Sequence, residues 1–138
     1  MRTLIVLLML VLASTVLAEE RTVNRDPIVG GIEFERSCAQ CHGFNGRGNG
    51  VRAKSLQVPP PDLTQLRKRH NGHFPFVSVY QVIDGSKLVG MHGDRDMPIW
   101  GDRYRAQGKE YGTNEYLYAR GLILELIDYL ISIQEPVE

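Results

Sequence analysis

Toward the end of the chain, Tyr118, Leu122, Leu126, Tyr129 and Ile133 recur at steps of four, four, three and four, the spacing that lines one face of an α-helix. Ile123, Ile127 and Leu130 widen this stripe, so the helix is expected to bury two sides against the core. Thr113 or Asn114 is placed to cap its start, and Pro136 marks its end. A second helix is predicted over residues 27–40, where Pro27 suits a first turn, Asp26 is its N-cap, and Ile28, Val29, Ile32 and Phe34 follow helical spacing. The adjacent Gly30 and Gly31 cost helix stability, so their presence implies that another element comes close there. A third, shorter helix over residues 75–84 gathers Phe76, Val79, Tyr80 and Ile83, although its β-branched residues also suit a strand.

Between these elements the pattern is broken. Four glycines with Asn45 and Asn49 make residues 43–50 an irregular loop, and Pro59, Pro60 and Pro61 force an extended stretch. Residues 67–74 are polar and basic, 85–96 read as a loop, and Met97 to Gly101 stand inside an irregular stretch reaching Gly112. No run alternates with period two and no long repeat is visible. The pattern predicts an all-α fold of three or four short helices joined by long loops. Such loops bury little apolar surface, so something other than side chains is expected to fill the middle.

The beginning of the chain reads as a targeting segment. Arg2 gives a positive start, residues 4–13 are an unbroken apolar run, and Val16, Leu17 and Ala18 suit a signal peptidase, with cleavage expected after Ala18. Ten apolar residues fall well short of the roughly 20 that a spanning helix needs. The 18 residues thus removed leave 120, enough for one domain over residues 19–138, with an ordered core over about 27–135 and a polar, frayed segment at 19–26. The mature balance is 15 basic against 16 acidic residues, so no nucleic-acid footprint is present.

The chemistry concentrates in one place: Cys38, Cys41 and His42, both cysteines of the chain and one of its four histidines, lie within five positions. Three readings compete for Cys-x-x-Cys-His. A dithiol redox pair normally accompanies a strand-and-sheet pattern, which is missing from this sequence. A zinc site could add His70 and His73, which are three apart, but leaves His42 and the apolar helices unexplained. Covalent attachment of haem uses all three residues: two sulfurs bond one porphyrin edge and the imidazole reaches the iron. The haem then supplies the missing core. Of the two methionines beyond the targeting segment, Met91 and Met97, the second is followed by Pro98, which holds the chain extended. Met97 is the expected second axial ligand; a thioether there closes the iron and raises its potential.

CAQCH at 38–42, the glycine-rich loop after it and MPIWG at 97–101 together resemble a class I cytochrome c of the small bacterial, periplasmic, mono-haem type, over essentially the whole mature chain. The resemblance implies a cytochrome c fold wrapped around the haem, with Gly30 and Phe34 on the first helix crossing Leu126 and Tyr129 on the last. It also implies a proline carbonyl, from Pro60 or Pro61, accepting the Nδ1 hydrogen of His42. Trp100, Arg103 and Tyr104 are candidate donors to the haem propionates, with Arg52 a weaker one. The implied function is periplasmic one-electron transfer between redox proteins that dock weakly. Such a chain is a monomer when free, meets the membrane only through a partner, and has no catalytic residues. Two alternatives are a dedicated subunit of a larger oxidoreductase and, if Met97 does not bind, an open-site gas sensor or peroxidase.

Overall fold

A computed structural model describes residues 28–87 and 97–137. The expected signal segment, the Asp26 cap, Met91 and most of the loop expected over 85–96 lie outside the described residues. Within them the chain is helical and contains no strand. The elements are α1 (Ile28–Ser37), α2 (Ala39–His42), 3₁₀ turns at Ala53–Ser55 and Leu63–Gln65, α3 (Leu66–Arg69), α4 (Phe76–Asp84), α5 (Trp100–Glu110) and α6 (Glu115–Ser132). No described helix is long and apolar enough to cross a membrane.

α6 is the axis of the molecule, and α1, α4 and α5 all pack against it. Its start is fixed by Asn114, whose side chain accepts hydrogen bonds from the N–H groups of Tyr116 and Leu117, both at 3.1 Å. As the widened stripe predicts, α6 buries two sides, but the deepest residues are Ala119, Ile123, Leu126, Ile127 and Leu130. Tyr118, Leu122 and Tyr129 are only half-buried. Each fully buried aliphatic side chain contributes roughly 1.5–3 kcal/mol.

The long helix predicted over 27–40 is broken at Cys38, between α1 and α2. Its buried face is Gly30, Glu33 and Phe34, while Ile28, Val29 and Ile32 are exposed. The reason is Gly30. A Cβ there would collide with the Glu125 carbonyl and lie 2.9 Å from Tyr129 Cβ, so α1 meets α6 along its glycine edge and its aliphatic residues turn outward. Phe34 then packs on Tyr129 with ring centroids 5.0 Å apart.

Most of the stretch expected to be irregular from Met97 to Gly112 is instead the eleven-residue helix α5. Its buried face is Gly101, Tyr104 and Gly108. Gly101 lies against the backbone of Asp84 at the end of α4, and a Cβ at Gly108 would be 2.8 Å from Tyr118 Cβ on α6. A face of two glycines and a single tyrosine leaves no hydrophobic stripe to read. The helix over α4 forms as expected, closed by Gly85 in the left-handed region with φ 87°.

Candidate functional site

Cys38 follows the last residue of α1, and Cys41 and His42 stand on the single turn of α2, held by the N–H groups of Cys41 and His42 donating to the Cys38 carbonyl at 3.1 and 2.9 Å. The chain then doubles back. The N–H groups of Arg52, Gly50 and Gly48 donate to the carbonyls of Gln40, Cys41 and His42 in turn, at 2.9, 3.1 and 2.7 Å. The close approach requires glycine: a Cβ at Gly50 would strike the Cys41 backbone, and one at Gly48 the Pro60 carbonyl. The glycine-rich loop is therefore a strap over the motif.

The motif also borders an apolar cavity of about 340 Å³, within the range of small-molecule sites. Cys38, Cys41, His42, Pro61, Met97 and Trp100 all line it, together with Phe34 from α1 and Leu126 and Leu130 from α6. Cys38, Cys41, His42 and Met97 are thus brought to one cavity. His42 is 9% exposed. Its Nδ1–H donates to the Pro61 carbonyl at 3.4 Å, so of the two prolines Pro61 is the one whose carbonyl faces the ring.

Both cysteines are free thiols. Burial above all, then the charges of Glu33 and Cys41, push the Cys38 thiol up to about 12. That is opposite to the depressed thiolate of a dithiol redox pair. Among the described residues no group of three or more His, Cys, Asp or Glu is placed to hold a metal ion, so the Cys₂His₂ zinc arrangement is not assembled. His70 instead donates its Nδ1–H to the Leu66 carbonyl at 2.8 Å.

The candidate donors fall in different places. Trp100 lines the cavity. Arg103 lies over the Trp100 ring, 5.0 Å from its centroid, as a cation–π partner. Tyr104 is 2% exposed and its hydroxyl donates to Glu33 Oε1 at 2.9 Å, so that donor is engaged with α1. Arg52 is exposed, and its backbone is what ties it to the strap. Besides His42, the polar residues that line the cavity are Ser37, His70, Ser78 and Lys87, and of these Lys87 Nζ and Ser78 Oγ pair with each other at 3.4 Å. Sequence reasoning weighed His70 only as a zinc ligand and missed Ser37, Ser78 and Lys87. The one available signal for Lys87 was Gly85, the helix stop that folds the following lysine back along α4.

Burial, followed by the charge and hydrogen bond of Glu33, raises the Tyr104 phenol well above its ordinary value. A phenol that stays protonated in the folded chain while the unfolded chain ionises near pH 10 stabilises the fold below that pH, and the contribution fades as pH rises further. Unfolding free energies measured by denaturant between pH 8 and 11.5 are expected to fall above pH 10. The fall should be shallower in Tyr104→Phe, and equal slopes in the two proteins would count against this role.

Comparison of the chain with protein-family models, with characterised proteins and with solved structures returned no match.

Proposed function

We propose that this chain is a mono-haem c-type cytochrome of the class I type, a periplasmic protein that takes one electron from one redox partner and delivers it to another. The observation that carries the reading is the convergence of Cys38, Cys41, His42 and Met97 on one apolar cavity, although Met97 is distant from the other three in sequence. Bound there, a haem supplies a one-electron Fe(III)/Fe(II) couple.

The donor set fits that group. Two thiols spaced on one helical turn suit thioether attachment, and a neutral imidazole and a thioether are the axial pair of closed, high-potential centres. Pro61 orients the His42 ring through its carbonyl. Phe34, Leu126 and Leu130 give the cavity apolar walls. Lys87 and Ser78 suit the acidic groups of the ring, since a carboxylate at an apolar edge has to be paired. No acid, base or nucleophile is required, and the chain acts as a carrier and not as an enzyme. Docking is weak and monomeric, burying less than about 1,200 Å² near the motif, with Lys68 and Arg69 exposed to steer an acidic partner.

Absorption spectra of the exported protein test this. The reduced protein is expected to show a sharp c-type α-band, and the oxidised protein a weak near-infrared sulfur-to-iron band that disappears in Met97→Ala. Carbon monoxide should leave the reduced wild-type spectrum unchanged and shift that of the variant. A wild-type protein that binds carbon monoxide would remove Met97 from the iron and favour the open-site alternative.

A further inference from the structure

Glu33 has no part in the cavity's donor set, yet it is buried at 8% exposure. Two hydroxyls, from Ser37 on its own helix and Tyr104 on α5, donate to the same oxygen, Oε1. No lysine, arginine or histidine pairs with it among the described residues. Burying a carboxylate is costly, and hydrogen bonds to it offset that cost without cancelling its charge. Ser37 and Cys38 are both part of the cavity wall, so the carboxylate sits one hydrogen bond behind it.

We propose that Glu33 is a built-in counter-charge for the metal centre: a buried anion, fixed by Tyr104 and Ser37, that favours the oxidised state and lowers the reduction potential. The inference rests on the haem reading. Its physical basis is that a charge in a low-dielectric interior acts with little screening on any charge that changes nearby. A merely structural role, tying α1 to α5, would affect stability and leave the potential alone.

Redox titration of the holoprotein separates the two. Glu33→Gln keeps the shape and both acceptor contacts but removes the charge. It is expected to raise the midpoint potential, shifting the electron-exchange equilibrium about tenfold toward the reduced form, or 59 mV for a one-electron couple. Tyr104→Phe keeps the charge and removes one donor, so its midpoint should move the other way by a smaller amount. Glu110→Gln, an exposed carboxylate on α5, should leave the midpoint unchanged. An unchanged midpoint in Glu33→Gln with an intact c-type spectrum overturns the inference. If that variant yields no holoprotein, Tyr104→Phe and Ser37→Ala decide it, and the absence of a downward shift in both overturns it equally. A colourless wild-type protein would instead overturn the haem reading itself.

Discussion

Gly30→Ala is expected to lower the melting temperature by roughly 10 °C, a loss of about 3 kcal/mol. On an isolated helix the same change would be stabilising by about 1 kcal/mol, because alanine is the better helix former. Here the added carbon would occupy the space of the Glu125 carbonyl and press on Tyr129 Cβ. Backbone cannot move aside as the tip of a side chain can, so the two helices must separate. That loosens the Phe34–Tyr129 ring pair and the wall that both helices give the cavity. Gly121→Ala, on the same α6, is the matched control: no atom lies within 4 Å of the new carbon, and it is expected to stabilise by about 0.5–1 kcal/mol. Thermal unfolding of the two variants should give shifts of opposite sign, and similar shifts would mean that the crossing is not close.

On the haem reading, replacing Cys38 and Cys41 together with serine is expected to abolish every trace of pigment that survives denaturing electrophoresis, whereas each single replacement would keep one covalent bond. The reasoning is chemical. A hydroxyl forms no thioether, and the axial ligands alone do not hold a cofactor through unfolding. His42 and Met97 remain in the double variant, so non-covalent haem binding to the refolded chain is still expected, at reduced stability. Pigment that stays bound to the double variant through denaturation would place the attachment elsewhere and remove the reading of residues 38–42.

How far the sequence carried depended on what each element buries. α6 was legible because its buried residues are large and apolar, and four of its five deepest positions are aliphatic stripe or stripe-widening residues. α5 was not, since it buries Gly101, Tyr104 and Gly108, and glycines read as loop in any hydrophobic count. α1 was legible as a helix but not in orientation. Its apolar residues suggested one face, and the close approach at Gly30 selected another. In the candidate site, Cys38, Cys41 and His42 were singled out because their spacing is itself the signal, and the structure brings them to one cavity with Met97. Pro61 was separated from Pro60 only by geometry. Lys87 and Glu33 gave no pattern at all: one reaches the cavity edge by folding back along α4, and the other is held inward by partners on two different helices.

The cavity wall is assembled from both ends of the domain, with Phe34, Cys38 and His42 on one side and Leu126 and Leu130 on the other. Gln134 closes the same region by donating to the Leu63 carbonyl and accepting from the Arg67 N–H. A polypeptide that emerges N-terminus first presents its thiols long before α6 exists to shelter them. These contacts span most of the sequence, so they form late in folding. On the haem reading, attachment at Cys38 and Cys41 would therefore meet an open, unfinished chain, and the arrival of α6, with Leu126 and Leu130, would complete the apolar wall around it.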